Sequence, residues 1–303
     1  MRYMPVNKVG DLLKIDDQKL WRMLDKYVAD SRSKLDWSDV TRIGVDELSA
    51  KKGHDYLSVF VDMQNKAVLF AAEGKGSNTF DDFTTELYLH NGHPHAIEEV
   101  SMDMSPAYQK GCEDHMRNAS KVFDHFHVIQ NLNKAIGAVY RKEKSQSPQL
   151  QSIAIKTRIL QRNEEDLKEN DKAAIKELKK HNLCTGLAHR MKVSFQNIYK
   201  NKSALNAQIS LRLWISWVKE EADKKEQKAL LISMRKFAES VQEHLDGILA
   251  HWKHGTSNGL LEGLNSVFSA VKRRARGFRN KHYMKTMLYF IEGKLSGIPC
   301  LIH

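Results

Sequence analysis

Apolar and polar residues alternate over residues 42–73, and this period of two predicts β-strands. Three segments carry the pattern: TRIGVDEL, YLSVFVDM and AVLFAAEG. The polar residues Gln64 and Asn65 separate the second segment from the third, which suits a hairpin turn. The pattern therefore predicts three strands in a meander.

Helices and strands alternate after this meander. Helical spacing predicts one helix over residues 79–89 and another that begins at Pro106, because proline suits the first turn of a helix. EEVSMDM and ASKVFDHF are the fourth and fifth predicted strands, and the helix HVIQNLNKAIGAVYRK follows. A meander followed by alternating helices and strands predicts an α/β fold with a mixed five-stranded sheet, in the ribonuclease H-like arrangement.

The segments before and after this core show the hydrophobic spacing of helices. The pattern over residues 5–30 predicts two short helices, the second capped by Asp16 or Asp17. Together they form either a helix-turn-helix element or a plain helical hairpin. The pattern over residues 145–250 predicts a large all-helical insertion. We expect the tryptophans of this insertion to lie in its core. The predicted segments are 1–36 (helical, helix-turn-helix-like), 40–144 (first part of the core), 145–250 (insertion) and 251–303 (last part of the core, with a glutamate-bearing helix and a basic segment).

Charge and cysteine content narrow the class of protein. The 303 residues carry a formal net charge of +11, which favours a polyanionic partner, DNA or RNA first, over a merely solvated basic surface. Three widely separated cysteines without a CxxC pair argue against a disulfide framework and a cysteine zinc site. Neither a signal peptide nor a membrane-spanning apolar run is evident, so we expect a cytoplasmic protein without a membrane partner.

Two aspartates end predicted strands. Asp46 follows Ile43 and Val45 in the first strand, and the period of two places Glu47 on the opposite face. Asp46 is therefore the candidate ligand, and Glu47 is the alternative. Asp103 ends EEVSMDM, although an aspartate at a strand end also commonly caps the following helix.

A third carboxylate, Glu262, lies in the first turn of a predicted helix that begins near residues 257–259. A glutamate there is also explained by the helix dipole. The predicted apolar stripe of this helix is Leu260, Leu264, Val267, Phe268 and Val271. The opposed polar stripe is Glu262, Asn265, Ser269 and Arg273.

Carboxylates that converge from different elements suit two divalent metal ions, which activate a nucleophile and stabilise a leaving oxygen in phosphoryl transfer. Mg²⁺ prefers oxygen ligands, and we expect Mn²⁺ to substitute for it. A basic segment (residues 272–281, KRRARGFRNK) follows Glu262, and its Gly277 and Phe278 suggest a turn docked on the protein. The predicted DNA-binding residues are Lys272, Arg273, Arg274, Arg276, Arg279 and Lys281. Asp124 and His127, in DHFH, are expected to support the site or the local packing.

These motifs resemble the DDE transposases of bacterial insertion sequences, specifically the ISL-three family. The matching segments are IGVDELSAKKGHDYLSVFVDM, AAEGKG, VSMDMSPAY, VFDHFHVIQNLNKAI and TSNGLLEGLNSVFSAVKRRARGFRN. The resemblance implies that Asp46, Asp103 and Glu262 bind the catalytic metals, that Asp124 and His127 support them, and that a homo-oligomer assembles on DNA near the nucleoid. Family members usually carry a cysteine-rich zinc-binding region at the amino terminus, and we expect a shortened amino terminus here.

The implied activity is metal-dependent cleavage of DNA at insertion-sequence ends and strand transfer into target DNA. A ribonuclease H-like nuclease without strand transfer is one alternative. A catalytically idle DNA-binding remnant is the other. Cleavage with Mg²⁺ separates the remnant from both enzymes, and strand joining separates the transposase from the nuclease.

Overall fold

The computed structural model describes residues 3–51, 55–254, 259–278 and 280–295. Contacts divide the chain into two compact units. The sheet unit comprises Met1–Val122 and Ser257–His303, and the helical unit comprises Phe123–Thr256. Among the described residues, no helix is both long enough and apolar enough to cross a membrane.

The sheet has five strands in the order β3-β2-β1-β4-β5. The first three form the predicted antiparallel meander, whereas β1 and β4 are parallel, so the sheet is mixed as predicted. Asp62 fixes the turn between β2 and β3, since its Oδ1 accepts hydrogen bonds from the backbone N–H groups of Gln64 and Asn65. The strands are β1 (Arg42–Lys51), β2 (Asp55–Asp62), β3 (Ala67–Glu73), β4 (Glu99–Met102) and β5 (Ser120–Phe123).

Helices precede, separate and follow these strands along the chain. They are α1 (Val6–Leu13), α2 (Asp17–Arg32), α3 (Asn78–Leu89), α4 (Pro106–His115), α5 (His125–Lys144), α6 (Pro148–Ser152), α7 (Thr157–Gln161), α8 (Glu169–Lys180), α9 (Cys184–Ile198), α10 (Ala204–Asp223), α11 (Ile232–Glu243), α12 (Leu245–His254), α13 (Gly259–Arg274) and α14 (Lys281–Glu292). The two helices predicted at the amino terminus are present. Asp16 is the cap of α2, since its side chain accepts from the N–H groups of Gln18 and Lys19.

Alternation along the strands gives the sheet two apolar faces. On one face, the ring of Phe60 stacks on Phe83 at 4.2 Å and meets Phe80 edge-on. On the other face, the apolar side chains of β2 and β3 form a core with residues of α2, α13 and α14, among them Val59, Val61, Val68, Phe268 and Leu288. Each face is therefore covered by its own set of helices.

The helical unit is built around α5, which packs against α9 and α11. Glu143 near the end of α5 is buried and accepts hydrogen bonds from the backbone N–H groups of Cys184 and Thr185, the first two residues of α9. Trp214 is buried as expected and donates to the Met191 carbonyl oxygen. The sequence pattern placed residues 124–144 with the core, whereas contacts group α5 with the helices that follow it.

Candidate active site

The parallel pairing of β1 and β4 brings Asp46 and Asp103, two predicted ligands, to corresponding positions along neighbouring strands. Gly44 pairs with Ser101, the last pair of this ladder. Asp46 lies two residues beyond Gly44, and Asp103 lies two residues beyond Ser101. Because side chains alternate with a period of two, Asp46 falls on the face of the sheet that carries Gly44, and Asp103 follows directly after the last residue of β4.

Asp46 is half-buried and held by two donors. Its Oδ1 accepts the backbone N–H of Glu47 at 2.7 Å. Its Oδ2 accepts the amide Nδ2 of Asn265 at 2.5 Å, and Asn265 lies on α13. Hydrogen bonds to an ionised acceptor are shorter and stronger than neutral ones, so this contact fixes the orientation of the carboxylate.

Gly44 lets α13 approach the sheet closely. A Cβ atom at this position would lie 2.7 Å from Sδ of Met63 and 2.9 Å from Cδ2 of Leu261. Leu261 is buried in the first turn of α13. Glu262 is the next residue of that turn, and its side chain lies outside the part of the chain that is described. The third predicted carboxylate thus belongs to a helix that packs on β1 beside Asp46.

The buried stripe of α13 differs from the predicted one. Val267 was assigned to it, but its side chain is 40% exposed, so that assignment is wrong. Leu261, assigned to neither stripe, is only 4% exposed, because the helix turns this residue onto the glycine in β1. Asn265 was correctly separated from the apolar residues, but periodicity alone gave no sign that it reaches a strand. The residues of α13 in contact with the core are Leu260, Leu261, Leu264, Phe268 and Val271, so the other predicted members of the stripe are confirmed.

Asp103 is half-buried at the entrance to α4. Its Oδ1 accepts the backbone N–H of Ser105 at 2.8 Å, so the residue also fulfils the local turn role that the sequence left open. Within the described ranges, no three His, Cys, Asp or Glu side chains are grouped closely enough to hold one metal ion.

A buried tyrosine lies on the face of the sheet opposite to Asp46. Ser58 faces Glu47 in the β1–β2 register, and its hydroxyl is 2.8 Å from the phenol oxygen of Tyr108. Burial raises the pKa of Tyr108 well above its ordinary value, and the charges of Glu47, Asp103 and Asp46 raise it further. The phenol is therefore protonated at neutral pH. Sequence reasoning missed this residue, because an apolar helix position gives no sign of its polar partner.

The supporting pair lies in the helical unit. Asp124 caps α5, and its Oδ1 accepts the backbone N–H of Phe126 at 2.9 Å. Its Oδ2 lies 2.8 Å from Nδ1 of His127. The carboxylate is almost fully buried and orients the imidazole, so the spacing Asp-x-x-His does bring the two side chains together.

The basic segment leaves α13 through a tight turn. Arg276 and Gly277 have φ angles of 54° and 90°. Their N–H groups bond to the carbonyls of Arg273 and Lys272, which is the pattern of a Schellman helix end. Phe278 then packs on the core of the sheet unit. The prediction of a docked turn is confirmed.

The predicted DNA-binding residues divide into three groups. Lys272 donates to the Ser49 carbonyl oxygen at 2.5 Å, and Lys281 pairs with Glu73 at 3.1 Å, so both make contacts within the protein. Arg279 lies outside the described ranges. The exposed arginines are Arg273, Arg274 and Arg276.

Comparison with known proteins identifies the family. The model of a transposase family, the ISL-three type of DDE transposases, matches residues 43–288. The transposase for insertion sequence element IS1001 of Bordetella parapertussis is 26% identical over 255 residues, which cover 82% of this chain and 60% of the relative. The transposase for insertion sequence element IS1557 of Mycobacterium tuberculosis is 25% identical over 298 residues, which cover 90% and 65%. The chain thus spans less than two thirds of the length of these relatives, and it belongs to the ISL-three family of DDE transposases.

Proposed function

We propose that this chain carries the catalytic centre for DNA strand cleavage at insertion-sequence ends and for strand transfer into target DNA. Asp46, Asp103 and Glu262 are the proposed catalytic residues. The observation that carries the proposal is the equal level of Asp46 and Asp103 on neighbouring parallel strands, with the Glu262 helix packed beside Asp46. We further propose that the mixed sheet and its helices form a ribonuclease H-like fold.

The donor set suits a hard divalent cation. Asp46 and Asp103 supply carboxylate oxygens, and each has one oxygen engaged by a backbone N–H, which holds the group in place. Together with Glu262 they would hold two Mg²⁺ ions, with Mn²⁺ as a substitute, which would activate the attacking oxygen and stabilise the leaving one. The Asn265 amide orients the Asp46 carboxylate, and Asp124 and His127 are proposed to support the centre.

The exposed arginines of the basic segment are proposed to bind DNA phosphates. Arg273, Arg274 and Arg276 are exposed at or just after the end of the Glu262 helix. The net charge of +11 adds a long-range attraction for DNA. Binding should weaken steeply with salt, since each neutralised phosphate releases counterions. Assembly of a homo-oligomer on two DNA ends is part of the proposal.

Strand cleavage and joining on labelled DNA that carries the ends of the insertion element test this proposal, with Mg²⁺ or Mn²⁺ present. We expect joined products with the wild type and none with Asp46→Asn or Glu262→Gln. Glu47→Gln is the matched control, because it removes a neighbouring carboxylate from the opposite face of β1 and should retain joining. DNA binding by each variant shows that lost activity is not lost affinity.

The other outcomes point to the alternatives. Cleavage without joining would favour a ribonuclease H-like nuclease. DNA binding without either reaction would indicate an idle remnant. Loss of activity in Glu47→Gln with activity kept in Asp46→Asn would overturn the assignment of the two carboxylates.

A further inference from the structure

A cavity of about 410 Å³ lies within the sheet unit, between the amino-terminal helices and the end of α13. The buried part of its lining is apolar and includes Val271 and Met287. Trp21 of α2 and Tyr283 of α14 also line it, and their rings stack at 4.1 Å with 11° between the planes. A volume of this size falls in the range of sites for small molecules, about 300–1,000 Å³.

The aromatic walls of this cavity are held in place by contacts between α2 and α14. Asp25 lies one turn after Trp21 on α2. It accepts a hydrogen bond from Oγ1 of Thr286 at 2.6 Å, and its other carboxylate oxygen lies 3.1 Å from Nε2 of His282. These contacts fix the two helices beside the stacked rings. Side chains that are already ordered lose less entropy when a ligand binds, so the cavity is preorganised for a flat ring.

Exposed polar residues also line the cavity, among them Asn7, Arg274 and Asn280. Arg274 is one of the three exposed arginines of the basic segment, together with Arg273 and Arg276. Positive charge therefore lies directly beside an aromatic cavity. A nucleotide is complementary to this arrangement, because it joins a negatively charged phosphate to a flat base that stacks on aromatic rings.

We propose that this cavity, the nucleobase site, receives one unpaired base of the bound DNA, an inference that rests on the proposed DNA-binding function. Every base has a π-face, so stacking on Trp21 and Tyr283 does not depend on sequence. A base inside a duplex is stacked between its neighbours, so the occupant is a base of a single strand or one turned out of the helix.

The nucleobase site is separate from the catalytic carboxylates. Arg274 follows Glu262 by twelve residues within α13. At a rise of about 1.5 Å per residue, the two lie about 18 Å apart along the helix axis. The site therefore holds an opened strand at a distance from the reacting phosphate.

The test is fluorescence anisotropy with labelled DNA in the absence of divalent metal ions, which makes the result independent of strand cleavage and joining. One probe is a fully paired duplex, and the other is the same duplex with a short single-stranded overhang. The wild type should bind the overhang DNA about ten-fold more tightly, as expected when one base stacks on aromatic side chains. In Tyr283→Leu this difference should disappear while the affinity for the paired duplex is unchanged, because an uncharged apolar side chain replaces the ring.

Two further variants make the test specific. Ala275→Trp fills the cavity without removing either stacked ring, since Ala275 is part of its lining, and it should also abolish the difference. Tyr88→Leu is the matched control, because this tyrosine on α3 is 53% exposed and does not line the cavity, so the ten-fold difference should remain. Circular dichroism shows that each variant is folded.

The possible failures are distinguishable. Equal affinity of the wild type for both DNAs, or a difference that survives in Tyr283→Leu and Ala275→Trp, would overturn the nucleobase site and leave DNA binding intact. An equal loss of affinity for both DNAs in Tyr283→Leu would show that the ring supports the DNA-binding surface and holds no base. Absence of binding to either DNA would overturn the proposed DNA-binding function together with this site.

Discussion

The buried carboxylate of Glu143 offers the most direct test of how the helical unit is held together. It accepts three hydrogen bonds from the start of α9, from the N–H of Cys184 at 2.8 Å and from the N–H and Oγ1 of Thr185 at 2.7 and 2.6 Å. A negative charge at a helix amino terminus is also stabilised by the helix dipole. Glu143→Ala removes the acceptor and leaves all three donors in a buried place.

The size of the effect follows from these contacts. Each buried donor left without a partner costs about 1–3 kcal/mol, and partial relaxation favours the lower end of that range. We therefore expect Glu143→Ala to lower the free energy of unfolding by about 3–5 kcal/mol. Glu143→Gln keeps the shape and one acceptor oxygen but loses the charge, so a loss of about 2 kcal/mol is expected. Such losses are large beside the total stability of a domain, about 5–15 kcal/mol.

Urea denaturation followed by tryptophan fluorescence measures this loss, because Trp214, Trp217 and Trp252 belong to the helical unit. The control is Glu169→Ala, which removes an exposed carboxylate paired with Lys172 and should change stability by less than about 0.5 kcal/mol. Unfolding of Glu143→Ala at the same urea concentration as Glu169→Ala would show that the three hydrogen bonds do not stabilise the helical unit.

Three further predictions concern packing, pH and DNA. Gly111→Ala should lower the free energy of unfolding by about 1–2 kcal/mol, because the new Cβ would lie 2.4 Å from the ring of buried Phe80. Gly263→Ala is the control in the same urea assay and should be neutral or stabilising, because there is open space around Gly263. Burial and two nearby lysines lower the pKa of His189 from 6.5 to about 4, so the unfolded chain binds the extra proton. The stability that neutral His189 contributes is fully present above pH 6.5, so the free energy of unfolding should fall as the pH drops towards 4. A His189→Gln variant whose stability depends on pH in the same way as the wild type would contradict this. Replacing the three exposed arginines of the basic segment by alanine should reduce the slope of log affinity against log salt concentration by about 0.9 per lost phosphate contact. Fluorescence anisotropy with labelled DNA measures this slope. An unchanged slope would show that these arginines do not contact DNA phosphates.

Local pattern was sufficient for the elements of the sheet unit. Alternation identified the strands that carry Asp46 and precede Asp103, and polar residues identified the turn between β2 and β3. Capping chemistry identified Asp16 as the start of α2. These features depend on residues close together in the chain, so a sequence window contains the physics that determines them.

Packing between distant segments decided the rest. The register of β1 against β4 places Asp103 level with Asp46, and no local signal sets a pairing between residues 57 positions apart. The close approach allowed by Gly44 rotates α13 so that Leu261 is buried, Val267 is exposed and Asn265 reaches Asp46. Similarly, the tryptophans of the insertion were expected in its core, but α10 buries Trp214 and leaves Trp217 half-buried.

Local patterns in the sequence therefore predicted the types of element and the family, but they placed Asp46 at the end of a strand, whereas it is the fifth of the ten residues of β1 (Arg42–Lys51). Only the tertiary structure decided which apolar positions are buried and which polar groups touch. The physical reason is that an amphipathic pattern specifies a face only to within about one residue of rotation, whereas hydrogen bonds and close packing are satisfied at a single rotation and register.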